Sequence, residues 1–173
     1  NSQEFKNAFE EETVLASVMM ANNEIGVIQP ISELSKICHE NKIMFHSDIA
    51  QALGNIQLNI DEIDCDFASI SGHKLYGPKG VGALIINPDI PLKPLQYGGG
   101  QEMGLRPGTL PVPLIVGLAK AIEISMINLE DRYQKTKRLR DQLWQDLLKT
   151  MPDLILNGDL ERRLPHNLNF TIP

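Results

Sequence analysis

The sequence is poor in cysteine, short of positive charge and without a long apolar run, and each shortage narrows its function. Only two cysteines occur, Cys38 and Cys65, and they form no CxxC pair. Neither a disulfide framework nor a cysteine-rich zinc site is therefore expected, and both read as buried thiols. Basic residues number 16 against 22 acidic ones, for a net charge of −6. The single basic cluster lies between Arg132 and Arg140, so there is no electrostatic case for nucleic acid. No apolar run is long enough to span a membrane and no signal peptide opens the chain, which makes a cytoplasmic protein the expectation. What is present is 42% hydrophobic content over 173 residues, enough to bury a core for one domain, or one domain plus a piece of another.

Hydrophobic patterning points to an α/β fold. The opening NSQEFKNAFEEE is helix-like. Thr13 to Met20 is an apolar, β-prone run of the length of a strand buried on both faces, and the Asn22-Asn23-Glu24-Ile25-Gly26 turn ends it. Ser32 reads as the N-cap of a helix carrying Leu34, Ile37 and Cys38 and stopping at Asn41. Ile43 to His46, Asp66 to Ile70 and Val81 to Ile86 follow as strands, the last alternating or fully buried. Strand, helix, strand order implies parallel neighbours, so Asn23, Asp48, Gln51, Ser71, His73 and Lys74 converge at strand carboxyl ends, where α/β proteins bind ligands. After Pro88 comes a proline- and glycine-rich loop. Helical spacing then runs through Leu114, Ile115, Leu118, Ala119 and Ile122 and again from Leu129 to Leu148, as one long helix or two joined end to end. Leu154 to Leu156 and Asn167 to Ile172 look like the first strands of a second domain. The expected division is residues 1–128 for a large domain and 129–173 for the linking helix and start of a smaller α+β domain.

The stretch SISGHKLYGPKGVGALIIN, Ser69 to Asn87, carries the chemistry. A Schiff base needs a lysine whose amine can be neutral, and burial beside positive charge favours that form. Lys74 follows a Ser-Gly-His turn at a strand end, with Ser71 and His73 as donors suited to a phosphate. These features suggest pyridoxal phosphate. A nucleotide-phosphate loop fails, because the place for its lysine holds Pro78 and no Ser or Thr follows Lys79. Gly98-Gly99-Gly100 fits no dinucleotide fingerprint, since residue 103 is methionine and no apolar strand abuts the run. Taken singly, Asp48 suits a helix cap, Gln51 and Asn23 suit turns, and His73 suits a satisfied core histidine. His46, Asp48 and His73 are also zinc-ligand types, although their spacing matches no helical ligand pair.

Together NNEIGVIQPI, HSDIAQALG, SGHKLYGPKG and GGGQEMGLRPGT resemble the cysteine desulfurases, pyridoxal-phosphate enzymes of fold-type I related to the class V aminotransferases. LNGDLERRLPHNLNF extends the resemblance to the end of the chain. The resemblance implies a large cofactor-binding domain of mixed, mostly parallel sheet with flanking helices. It makes Lys74 the lysine that holds the cofactor and Asp48 the carboxylate on its pyridine nitrogen. Gln51 would bond the phenolic oxygen, Asn23 would lie beside that oxygen and the substrate carboxylate, and Ser71 and His73 would hold the phosphate. Thr109 would reach the phosphate of a neighbouring subunit, implying a homodimer with shared sites. The implied reaction takes sulfur from L-cysteine, leaving L-alanine, onto an enzyme cysteine for iron–sulfur clusters or thiolated products, with a sulfur-acceptor or scaffold protein as partner.

Cys38 and Cys65 do not match the family's acceptor cysteine, which falls on a loop after the LNF strand. The upstream phosphate turn, the ring-stacking histidine and the substrate-gripping arginine are also unmatched, and Met103 and Pro107 depart from the family's glycine-loop block. The expectation is a central fragment, inactive alone. A selenocysteine lyase, another class V enzyme and a non-catalytic dimerising remnant are the alternatives.

Overall fold

The computed structural model describes residues 2–173; Asn1, at the head of the helix-like opening, lies outside the described residues. A four-stranded sheet of order β1-β2-β3-β4 is built from Leu15–Met19, Met44–Asp48, Phe67–Ser71 and Gly82–Ile86. Helix α1 (Ser2–Asn7) precedes β1, and helices α2 (Ile31–Glu40) and α3 (Ile60–Ile63) connect β1 to β2 and β2 to β3. Helices α4 (Val112–Met126) and α5 (Leu129–Thr150) follow, and then the short pair β5 (Ile155–Leu156) and β6 (Phe170–Thr171).

β1, β2 and β3 are mutually parallel, with Met19 opposite Asp48 and Asp48 opposite Ser69. β4 runs antiparallel to β3, pairing Ser71 with Gly82, so the sheet is mixed and mostly parallel, as the resemblance implies. The segment between them folds into one 3-10 turn, Gly72–Leu75, and returns directly. A parallel partner would need a crossover of about a dozen residues or more.

Alternation along β2 shows which face is covered. Phe45 and Ser47 are fully buried, whereas Met44, His46 and Asp48 are half-buried. The covered face meets Leu34 and Cys38 of α2, with Ile43, Ile49, Ala52, Ile63 and Ala68 completing the core. Burying one such large apolar side chain contributes roughly 2–3 kcal/mol. Asp66 is buried among these groups and is satisfied there, its Oδ2 accepting the Phe45 N–H at 2.7 Å and meeting His39 Nε2 at 3.1 Å.

Three expectations are corrected. β1 is not buried on both faces, because it forms a sheet edge; Leu15 stays 47% exposed. β4 neither alternates nor is buried, since it is the opposite edge and leaves Leu84 and Ile85 in the open. Ser32 does not cap α2: the helix starts at Ile31 behind Pro30, and the Ser32 hydroxyl instead donates to the Glu62 carbonyl at 2.9 Å. The two-helix alternative holds for the long helical stretch. α4 and α5 are bent by 67° at a break where Asn128 takes a left-handed φ of 51°.

Cys38 is fully buried, and that burial, with the Asp66 carboxylate adding to it, pushes its thiol from 9.0 up to about 11. Below pH 9 the thiol is protonated in both folded and unfolded chains. Between pH 9 and about 11 only the unfolded chain releases the proton, so it binds fewer protons and stability falls as pH rises. Urea midpoints measured at pH 8.5 and 10.5 are therefore expected to drop further in the wild type than in Cys38→Ala; equal drops would show that this thiol contributes nothing to the loss.

Candidate active site

The register of β1, β2 and β3 sets the site, because it brings three strand carboxyl ends to one edge. Past β1, the Met20 N–H donates to the Asp48 carbonyl at 2.9 Å, and the chain turns at Asn22, whose Oδ1 accepts the N–H groups of Glu24 and Ile25, each at 2.9 Å. This Asx turn presents Asn23 as an exposed side chain. At the end of β2, Asp48 Oδ1 accepts the Ala50 N–H at 2.9 Å. Among the described residues Oδ2 has no hydrogen-bond partner, which leaves one carboxylate oxygen for a cation. Gln51 is half-buried in the following turn, its carbonyl accepting from Asn55 Nδ2 at 3.0 Å.

Beyond β3 the chain enters the Gly72–Leu75 turn, closed by the Gly72 N–H on the Val81 carbonyl at 2.9 Å and the Gly77 N–H on the Gly72 carbonyl at 3.0 Å. A Cβ at Gly72 would come within 3.0 Å of the Pro78 and Val81 carbonyl oxygens, so the turn is this tight only with glycine there. Ser71 Oγ and His73 Nδ1 meet at 3.0 Å, an adjacent hydroxyl and imidazole facing the same solvent. Lys74 comes next. The expectation of a buried amine is corrected: its side chain is exposed, because the turn lifts it clear of the strand end. His73 is exposed as well, which removes its alternative as a core histidine.

Lys74 and Gln51 line one cleft of about 600 Å³. The turns around these two residues form one side of it, and α4, α5 and the segment after β5 form the other, through Ser125, Arg132, Tyr133, Thr136, Pro165 and His166. None of these was expected from the sequence. Arg132 bonds three carbonyls, those of Ser125, Ile127 and Gly54, the last at 2.7 Å across 78 residues of sequence. One side chain thus fixes the bend between α4 and α5 and ties it to the Gln51 turn. Its only sequence signal is a place in a charged helix, which is also the signal of an ordinary solvated arginine. Desolvation holds the His166 imidazole below the usual histidine range, which favours its neutral form on the cleft wall.

Asp48, Ser71 and His73 reach the same sheet edge outside the cleft lining, and Asn23 stands on the neighbouring turn. Thr109 is not brought to them; it is exposed in the loop ahead of α4. The zinc alternative gains no support. His46 spends both ring nitrogens on hydroxyls, Ser17 Oγ at 2.7 Å and Ser69 Oγ at 3.1 Å, and among the described residues no three metal-ligating side chains cluster.

This edge belongs to a fold-type I enzyme domain. The whole chain, residues 1–173, matches the aminotransferase class-V family model, and the chain belongs to that family. It is 51% identical over 168 residues to the cysteine desulfurase IscS of Rickettsia typhi, covering 96% of this chain and 41% of that relative. It is 48% identical over 171 residues to the cysteine desulfurase IscS of Ehrlichia chaffeensis, covering 97% and 42%. Among solved structures, a NifS-like protein matches with a TM-score of 0.91 at 37% identity, over 99% of this chain and 47% of that one. The chain therefore spans about two fifths of the length of the curated relatives it matches. Both the α/β fold and the resemblance read from the motifs are borne out. Pyridoxal 5'-phosphate is the cofactor of the family.

Replacing Arg132 by Met leaves three carbonyls without their shared donor and keeps the apolar stem. Because bonds to charged donors are each worth roughly 1.5–3 kcal/mol, a loss of about 3 kcal/mol is expected in chemical denaturation. A change within about 0.5 kcal/mol would show that the bend holds without it.

Proposed function

We propose that this chain is the part of a pyridoxal-phosphate cysteine desulfurase that carries the cofactor lysine, taking sulfur from L-cysteine and leaving L-alanine. The observation that carries the reading is Lys74 beside Gln51 in one cleft, on a turn that continues from Ser71 and His73, at the sheet edge where Asp48 keeps an oxygen free. Identity of about half to enzymes named cysteine desulfurase supports the substrate.

The donor set fits the cofactor. Lys74 supplies the amine that holds it, Ser71 and His73 supply donors for its phosphate, and Gln51 a donor for its phenolic oxygen. Asp48 would keep the ring nitrogen protonated, and the cofactor, when bound, would supply an electron sink. Asn23 orients the substrate carboxylate. Lys74 would move the proton at the substrate α-carbon, and a cysteine thiolate of the enzyme would take the sulfur. Neither Cys38 nor Cys65 is that thiolate: burial raises both thiols, and Cys38 is sealed in the core. Residues 1–128 belong to the cofactor domain and 129–173 open the smaller one. A homodimer in which Thr109 reaches the partner's phosphate accommodates that exposed side chain, and the sulfur passes on to an acceptor or scaffold protein.

In the full-length protein with pyridoxal phosphate, Lys74→Ala is expected to abolish the visible absorbance of the lysine-held cofactor and to lower sulfide release by about 10⁴-fold or more, the scale lost with a covalent catalyst. Asp48→Ala should retain that absorbance with weakened binding and slower turnover. A visible band that survives in Lys74→Ala would overturn the reading, and alanine appearing only from selenocysteine would move it to a selenocysteine lyase.

A further inference from the structure

Arg163 is the largest fully buried side chain, and among the described residues no carboxylate forms an ion pair with its guanidinium, the Asp159 charge only partly offsetting the cost of its burial. Its Nε donates to the Asp159 carbonyl at 2.9 Å, one terminal nitrogen to Asn167 Oδ1 at 2.9 Å, and the other to the Asn157 carbonyl. Burial, with the Arg140 charge adding to it, lowers its affinity for the proton. A buried guanidinium whose hydrogen bonds all go to neutral oxygens is costly to keep, and it is tolerated only where the whole fork is used.

Both terminal arms lead to one atom. Asn167, accepting from Arg163 through Oδ1, donates through Nδ2 to the Glu24 carbonyl at 2.8 Å. Asn157, whose carbonyl takes the second arm, donates through its side chain to Asn169 Oδ1 at 2.7 Å, and Asn169 Nδ2 donates to the same Glu24 carbonyl at 3.2 Å. Glu24 directly follows Asn23. The Leu164 N–H closes on the Gly26 carbonyl at 2.9 Å, and a Cβ at Gly26 would stand 2.3 Å from Asn167 Cγ. Only glycine, at its φ of +71°, lets the segment seat against the turn.

We propose that Arg163 and Asn167 are positioning residues for Asn23, holding its turn through the Glu24 carbonyl so that the Asn23 amide is set for the substrate carboxylate. The inference rests on the role given above to Asn23. Neither residue touches the substrate; each acts through the turn. The arrangement also makes the segment 157–169, ahead of the acceptor loop expected from the resemblance, part of the substrate site.

Asn167→Asp separates the two halves of the clamp. A carboxylate keeps the acceptor for Arg163 but has no hydrogen to give Glu24, so stability should hold while the turn loosens. The Asn167→Asp, Asn169→Ala double variant removes both donors. In the cofactor-free full-length protein, hydrogen exchange across residues 20–29 is expected to rise about tenfold at the Glu24 and Ile25 amides. In the loaded enzyme, KM for L-cysteine should rise about tenfold with kcat less affected, and the Lys74-dependent absorbance should persist. Unchanged exchange overturns the clamp, and faster exchange with an unchanged KM overturns its link to substrate. If the double variant loses its fold, Asn167→Asp alone reads the same two quantities. Absence of Lys74-dependent absorbance in the wild type would sink the earlier functional reading, and the exchange measurement would still decide whether the turn is held from the far segment.

Discussion

The parallel register that places Met19 beside Asp48 and Asp48 beside Ser69 is the constraint on which the remaining geometry depends. A strand's carboxyl end is a place where the chain must leave the ladder, and three such ends in line give three loops with free polar groups above one edge. A slip of one residue in β2 would turn Asp48 and His46 into the core and bring Phe45 and Ser47 out. The buried Phe45 and the Asp66 carboxylate that receives its N–H oppose that slip, so the core fixes where the chemistry stands. Packing and function are in this sense one specification.

The loops at this edge are held in different ways. The Asn22 side chain closes its own turn locally, as does the tight Gly72–Leu75 turn after β3. Two other links reach across the chain: Arg132 binds the α4–α5 bend to the Gln51 turn through the Gly54 carbonyl, and Asn167 and Asn169, gathered locally around Arg163, bond the Glu24 carbonyl. Carbonyl oxygens at bends and turns are left unpaired by secondary structure, and a guanidinium with several fixed donors satisfies them together.

The local half of this architecture was legible in the residues. β-prone runs marked β2 and β3, Asn-Asn-Glu-Ile-Gly marked the turn, and the Ser-Gly-His-Lys order put a lysine at a strand end. Hidden was whatever required a partner far along the chain. The period-2 pattern of Val81 to Ile86 is the same for an edge strand and an inner one, and only the short return after Lys74 selects antiparallel pairing. Ser32 has the chemistry of a cap, but a nearer acceptor, the Glu62 carbonyl, claims its hydroxyl. Arg132 and Asn167 carry no local mark, since their decisive partners, the Gly54 and Glu24 carbonyls, are fixed by tertiary approach. The exposed amine of Lys74 also departs from the burial its chemistry suggested, because a 3-10 turn rotates it off the strand.

The bonds from Asn167 and Asn169 to Glu24 span 143 and 145 residues. Contacts so remote in sequence form late, after local turns and neighbouring strands have condensed, because a large loop must close before they bring any gain. During synthesis, then, the ribosome will have released the sheet, both long helices and the lysine turn before the last support of the Asn23 loop exists. A nascent chain of this kind can gather its fold early while its Asn23 loop stays unset until nearly the final residue of this stretch has emerged.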